Sequence, residues 1–415
     1  MKIIFIQHNS FLNGNGGSEK MCTFLANSFS EKGHEVSIAV NQKEGGSPVF
    51  PLNSDIKVDN IYDARVDQIE LLPIVNYSGK NPIAWLIGKI KKKYTKQVNK
   101  NKCRAFPDGY QGVYKYNLKK RSEQWYSYLK AADPDLIITM STASLLEITY
   151  DNTLDIPIIN SVNGRPDYDY EDVFGRRDPL EKDLLKNSYS RLSGIQILLD
   201  DYDKFLPDTF KGKVFVIGNP FPEVDTTEHV DHQIEKSQYV ISHLGRLDND
   251  CKQQTLAIEA FHRASSENSE WRLDLWGTGA DRDLIQQKID ELALGDKVAL
   301  KGFCSDPIAV LKNVDIFLFP SRYEGFPLAL GEAMSVGLPA IGLESCSGVN
   351  KLIVNEESGF LVPDVEAMAS RLTQLMNNPA LRQEMGKKGV ELMRAYTPAS
   401  VLAKWDELIN EIVER

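Results

Sequence analysis

Short apolar runs alternate with longer stretches of helical periodicity along nearly all of the 415 residues, and few folds accept that pattern. Parallel strands cannot be joined by tight turns. Each pair needs a crossover of a dozen or more residues, usually a helix. The alternation therefore predicts an α/β fold with parallel sheets covered by helices. Strands are predicted at about 2–7, 35–41, 135–140, 157–162, 193–198 and 213–217, and a second series at about 238–244, 271–276, 297–301, 314–319 and 338–342. Between the series lies Gly218-Asn219-Pro220-Phe221-Pro222, then a polar stretch to about residue 236, punctuation that fits a domain boundary. Two doubly wound, Rossmann-like domains follow. Ligands in such sheets bind at the carboxyl ends of the strands, so two sheets with facing carboxyl edges would form one interdomain cleft.

The composition, 42% hydrophobic and 26% charged, is that of a soluble globular protein with a core in each domain. A net charge of −10 gives no support to a nucleic-acid partner. Cys22, Cys103, Cys251, Cys304 and Cys346 are scattered and form no metal-binding spacing, which points to a reducing cytosol and no structural zinc. The apolar run at the N-terminus is too short for a signal peptide, and no stretch of about 18 apolar residues exists to span a membrane.

The string Phe319-Pro320-Ser321-Arg322-Tyr323-Glu324-Gly325-Phe326-Pro327-Leu328-Ala329-Leu330-Gly331-Glu332-Ala333-Met334 carries the most chemistry. It follows an apolar strand and opens a helix that Gly337-Leu338-Pro339 ends. Gly325 and the backbone around Phe326, Pro327 and Leu328 would make a helix N-terminus able to hold a phosphate. Glu332, about two turns beyond Glu324, can accept two hydrogen bonds from a ribose diol. The alternative is a solvated glutamate pair on a structural loop.

Glu324-x7-Glu332 with these flanks resembles the donor-site signature of family 4 retaining glycosyltransferases of the GT-B fold. The resemblance covers the second half closely and most of the chain loosely. It implies an N-terminal acceptor-side domain over 1–220, a nucleotide-sugar-binding domain over 221–395, and a C-terminal helix from about 396 to 415 packing back on the first. It implies that Glu332 holds the ribose, that Glu324 contacts the transferred sugar, and that the backbone around Phe326 to Leu328 touches sugar or phosphate. Gly245-Arg246-Leu247-Asp248-Asn249-Asp250-Cys251-Lys252 is similar to the segment whose Arg and Lys grip the donor diphosphate. Negative charge grows on that leaving group as the glycosidic bond breaks, and two fixed cations stabilise it most in the transition state. Gln253 stands where a glycine often follows that lysine, so the local turn is in question. Lys301-Gly302-Phe303 resembles the loop lining the nucleotide base, and Gly277-Thr278-Gly279 a Gly-x-Gly strand end that is as often only a tight turn. Gly16 and Gly17 resemble the glycine loop that approaches donor phosphate and acceptor. Many members carry a histidine after an N-domain strand; here Asn163 aligns with it, and Asn can hydrogen-bond a sugar but cannot act as a base. His8 is the other candidate to line the reacting sugar.

The implied reaction moves a hexose-type sugar, UDP-linked by family frequency, to a hydroxyl of a bacterial surface glycan or glycolipid with retention. No cofactor is implied, and no metal, because Arg246 and Lys252 supply two positive charges. Of the Asp-x-Asp strings, Asp133-Pro134-Asp135 precedes its strand and so lies at the wrong edge, Asp248-Asn249-Asp250 is embedded in the Arg246–Lys252 loop, and Asp167-Tyr168-Asp169, which follows a strand, stays open as a metal site. The rival readings are a non-catalytic sugar-nucleotide-binding subunit and a sugar-nucleotide epimerase or hydrolase of the same fold.

Residues 80–107 hold nine cations and no carboxylate, with Trp85, Leu86, Ile87, Ile90, Tyr94 and Val98 interleaved at roughly helical spacing. One reading is a solvated basic helix with one buried face. The other is a helix lying on an anionic membrane, which would make the enzyme peripheral on the inner face of the cell membrane.

Overall fold

The computed structural model describes residues 1–74, 81–171, 177–265 and 268–413. The chain divides into two compact units. The first comprises Met1–Ile197, Asp201–Phe215 and Ile409–Arg415, and the second Leu198–Asp200 and Val216–Leu408.

The first unit holds strands β1 (Lys2–Ile6), β2 (Glu35–Val40), β3 (Lys57–Asn60), β4 (Leu136–Thr139), β5 (Ile158–Ser161), β6 (Gly194–Ile197) and β7 (Lys213–Val216). They form one sheet in the order β3-β2-β1-β4-β5-β6-β7. Its helices are α1 (Gly17–Glu31), α2 (Pro82–Cys103), α3 (Tyr110–Ala132), α4 (Thr142–Thr149) and α5 (Pro179–Ser188). Central strands read as unbroken apolar runs because both faces of a parallel sheet are covered. Ile3, Ile4, Phe5 and Ile6 are all fully buried, as are Leu136, Ile137 and Ile138.

The second unit holds β8 (Tyr239–Leu244), β9 (Trp271–Trp276), β10 (Val298–Gly302), β11 (Ile316–Phe319), β12 (Ala340–Leu343) and β13 (Gly359–Val362), ordered β10-β9-β8-β11-β12-β13. All the pairs run parallel. Its helices are α6 (Asn249–Lys252), α7 (Gln254–Ala264), α8 (Arg282–Glu291), α9 (Pro307–Leu311), α10 (Leu328–Ser335), α11 (Val349–Leu352), α12 (Val365–Met376), α13 (Pro379–Met393) and most of α14 (Pro398–Val413). One core cluster runs from Ile241 through Phe261, Trp271 and Leu273 to Leu372 and Met385. The final turn of α14 belongs to the first unit, where Ile412 packs so close to Gly194 that a Cβ there would lie 2.9 Å from its Cδ1.

Eleven of these strands fall where the apolar runs predict them; β3 and β13 do not arise from the pattern. Both are sheet edges. β3 reads Lys-Val-Asp-Asn with no residue fully buried, so it has no apolar run to detect. β13 is only four residues long and opens on a glycine.

Gly359 has a packing reason: a Cβ there would meet Ala340 O at 2.2 Å, across the β12–β13 ladder. Gly359→Ala must push the two backbones apart, an overpacking cost of about 1–3 kcal/mol. Gly295, with nothing within 4 Å of such a Cβ, serves as the control. Gly295→Ala should be neutral or stabilise by up to about 1 kcal/mol. Thermal unfolding should show the first variant melting well below the second.

Candidate functional site

In the second unit the crossover direction reverses between β8 and β11, which pair in the middle of the sheet. A crevice opens at the carboxyl ends of strands at such a switch point. The two loops that leave there carry the two motifs read from the sequence, 245–252 after β8 and 320–327 after β11.

Their side chains meet. The Lys252 ammonium pairs with the Glu324 carboxylate, although 72 residues separate them, and both side chains are largely buried at 18% and 11% exposure. Burial opposes the charge on Lys252, but the neighbouring Glu324 overcomes it and holds the lysine above its ordinary pKa. The same surroundings suppress thiolate chemistry: burial, then the Glu324 charge, pushes Cys346 up to about 12. Beneath the loop, His243 Nδ1 faces Leu318 O at 3.0 Å while Nε2 is buried without a partner, and burial pushes its imidazole down to about 4. A neutral His243 adds no competing cation beside Lys252. Arg246 is not part of this buried pair. Its guanidinium is 69% exposed and donates to Asp248 at 2.9 Å.

The Gly-x-Gly at the end of β9 is more than a tight turn. A Cβ on Gly277 would lie 2.0 Å from Gly245 O, and one on Gly279 would lie 2.2 Å from Leu247 O. These glycines let the Arg246 loop lie directly on the β9 end. Gln253 settles the question of the turn: it adopts φ 51°, ψ 44°, the left-handed conformation a glycine would take more easily.

Helix α10 starts at Leu328 without a side-chain cap. The first intrahelical donor is Gly331 N, bonded to Pro327 O at 3.2 Å, so the N–H groups of Leu328, Ala329 and Leu330 have no partner within the helix. Pro327 has no N–H and contributes only shape. Glu332 lies on this helix and is 5% exposed. Several residues that hold the loop show in the sequence only as punctuation or carry no signal there. Asn219 Nδ2 donates to Phe326 O at 3.2 Å, and Phe221 stacks on Phe326 at 5.5 Å. Gly331 leaves room for the Phe221 ring, which a Cβ would meet at 2.1 Å, and Gly348 leaves room for Gly325 O at 2.7 Å. The Gly218–Pro222 string was legible only as a domain boundary; the loop it braces lies about a hundred residues further on.

Gly302 takes φ +80° and its carbonyl accepts from Gly277 N at 2.7 Å. Next to it Phe303 is half exposed at the rim of a cavity of about 420 Å³ that also involves Asp274, Trp276 and Lys301. Asp274 Oδ1 and Trp276 Nε1 are buried there without a protein partner. The cavity lies beside the loop that resembles a base site.

The first unit has its own switch point between β1 and β4. Gly16 caps α1 and Gly17 begins it, both with exposed backbone. A Cβ on Gly16 would meet Glu19 Oε2 at 2.5 Å. His8, after β1, has Nδ1 2.9 Å from Ser144 Oγ, and burial keeps its imidazole below the usual histidine range despite Glu147. Asn163, after β5, donates to Met140 O at 2.9 Å, at the end of β4. His8 and Asn163 therefore flank the β4 end on the same sheet edge.

The aspartate strings are already engaged. Arg165 grips Asp167 at 2.6 and 2.9 Å, and Arg177 reaches Asp169 at 3.1 Å. Asp248 caps α6 and binds Arg246. Asp135 accepts from Lys2 N at the amino edge of the sheet.

The family described as Glycosyl transferases group 1 matches residues 224–391, inside the second unit. An exopolysaccharide phosphotransferase of Streptomyces coelicolor is 33% identical over 167 residues, which are 40% of this chain and 18% of that protein. A poly(ribitol-phosphate) alpha-N-acetylglucosaminyltransferase of Staphylococcus aureus is 26% identical over 60% of this chain and 49% of its own length. The matched part thus spans no more than about half of either relative. Among solved structures, an S. aureus TarM mutant in complex with fondaparinux, alpha-GlcNAc-glycerol and UDP superposes with a TM-score of 0.73 at 16% identity, covering 99% of both chains. Two parallel sheets with the switch-point loops of β8 and β11, a family match over those loops, and whole-length structural likeness lead to one assignment: residues 224–391 are similar to the group 1 glycosyl transferases, and the chain has the GT-B fold.

Proposed function

We propose that the protein is a retaining glycosyltransferase that moves a hexose-type sugar from a nucleoside diphosphate, UDP above others, to a hydroxyl of a glycan or glycolipid. The observation that carries the reading is the buried Lys252–Glu324 pair beside the open N-terminus of α10. A pre-formed cation next to unpaired amides suits a diphosphate that gains charge as it leaves, with no reorganisation needed at that moment. Lys252 stabilises the leaving diphosphate. Arg246, exposed and tied only to Asp248, swings onto it from the surface. Glu324 orients the transferred sugar and Glu332 the ribose. The cavity by Phe303 takes the base, and in the first unit Gly16, Gly17 and Asn163 or His8 serve the acceptor side. With no second carboxylate assigned as a nucleophile, attack comes from the face the diphosphate leaves, and catalysis rests on positioning and charge. The UDP and glycan ligands of the TarM complex support the donor and acceptor classes. Acceptors of surface-glycan type and the basic α2 support a peripheral position on the inner face of the cell membrane.

Lys252→Ala and Arg246→Ala should each lower turnover about 10²-fold, on the order of 3 kcal/mol of transition-state stabilisation. Glu332→Gln should mainly raise the donor KM, and Glu324→Gln mainly lower kcat. Steady-state kinetics over a panel of UDP-, GDP- and ADP-sugars, with and without an acceptor alcohol, checks this on variants whose circular dichroism matches wild type. Near wild-type rates for both cation variants would remove the assignment; nucleotide release that ignores the acceptor would identify a hydrolase.

Transfer should also survive chelation. Arg246 and Lys252 supply two positive charges, and Arg165 and Arg177 already occupy Asp167 and Asp169. Equal rates with EDTA and with Mg²⁺ or Mn²⁺ are expected; activity lost in EDTA and restored by metal would refute the proposal.

A further inference from the structure

Helix α2 is amphipathic the wrong way round. Its apolar residues Ile83, Leu86, Ile87, Ile90 and Tyr94 recur at i, i+3, i+4, i+7 and i+11, a single stripe that a soluble protein normally turns to its core. Here they are 71%, 54%, 48%, 62% and 67% exposed. The side turned inward instead carries Ala84, Gly88, Thr95, Val98, Asn99 and Cys103, small or polar apart from Val98. Asn99 fixes this roll of the helix. It is 3% exposed, its Oδ1 accepts from Leu72 N at 2.9 Å, and its Nδ2 donates to Leu72 O at 2.8 Å. Rotating the stripe inward would break both bonds.

The stripe is set among seven lysines and no acidic residue within Pro82–Cys103. Lys91 flanks it on one side and Lys89, Lys93 and Lys96 on the other, all exposed. Trp85 lies off the stripe with the Lys89 ammonium 3.7 Å from its ring centre. Asn81 caps the first turn by accepting from Ile83 N and Ala84 N, so the exposed end is a finished helix.

We propose that α2 is a membrane-docking helix: the stripe Ile83, Leu86, Ile87, Ile90 and Tyr94 enters the interfacial layer of an anionic phospholipid bilayer, and the flanking lysines bind its phosphates. The occupant follows from the joint chemistry. An isologous contact with a second copy would cover the stripe but bring the same lysines face to face. A nucleic acid would answer the charge and leave the stripe in water. An anionic bilayer answers both, because apolar side chains sink below the headgroups while each lysine near the surface adds to the attraction. No helix among the described residues is long and apolar enough to cross a membrane, and this geometry calls for one lying on it. The docking stands apart from the transfer reaction, since vesicle binding needs no donor.

Sedimentation with vesicles tests it on the full chain. The protein should pellet with phosphatidylglycerol–phosphatidylcholine vesicles and stay in the supernatant with pure phosphatidylcholine. Raising salt from about 0.05 M to 0.5 M should weaken binding at least about tenfold. Two variants separate the contributions. Ile83→Ser with Leu86→Ser and Ile90→Ser keeps every charge, and Lys91→Gln with Lys93→Gln and Lys96→Gln keeps the stripe. All six positions are exposed, so thermal unfolding should be unchanged, while each triple variant should bind anionic vesicles at least about tenfold more weakly. Equal recovery of wild type in the supernatant with both vesicles overturns the proposal. Full binding by the serine variant overturns the insertion of the stripe. A dimer in analytical ultracentrifugation that the serine variant dissociates, without vesicle binding, assigns the stripe to self-association instead. Acceptor-dependent transfer to a soluble alcohol should be the same in all three proteins, so failure here and failure of the transferase reading are distinguishable.

Discussion

A lysine and a glutamate that would each be costly to bury alone hold the chemistry of the second unit together. Lys252 and Glu324 come from loops 72 residues apart, and each makes the other's burial tolerable. Their meeting requires β8 and β11 to be neighbours, which is the topological reversal of the sheet. It also requires loops that lie close against the strand ends, and that closeness is bought with glycines. Gly277 and Gly279 admit the Arg246 loop; Gly348 admits the Glu324 loop. Remove the pair and those glycines lose much of their purpose.

The framework was readable because a parallel sheet imposes its own signature. Strands buried on both faces need continuous apolar runs, and the nine central strands among the eleven predicted announce themselves in that way. Two of the four edge strands stay silent: β3 is polar, reading Lys-Val-Asp-Asn, and β13 offers only Phe360, Leu361 and Val362 after a glycine. Within the site, residue types were legible and partnerships were not. Charge at the leaving group explains why a loop should carry Arg246 and Lys252, but nothing in local sequence says that only Lys252 is buried against Glu324. Gln253 shows the opposite case: the turn that a glycine would announce forms anyway, at the strain of a left-handed glutamine. Asn219 and Phe221 were hidden differently, since their punctuation value as a boundary masked their contact with Phe326.

Helix α2 marks the limit of periodicity as evidence. A 3.6-residue pattern shows that a helix has an apolar side, and in a soluble chain the natural conclusion is that this side faces in. The pattern carries no information about roll. Roll is set by whichever residue makes the deepest contact, and here that is Asn99, placed opposite the stripe and bound to both backbone groups of Leu72. Two hydrogen bonds from one buried amide are cheap to keep and costly to break, because each leaves a buried polar group unpaired. Five exposed apolar side chains carry a standing cost in water that grows with the area they expose. A protein that keeps both arrangements has its apolar stripe aimed at a medium other than water, and the lysines around it state the sign of that medium's charge.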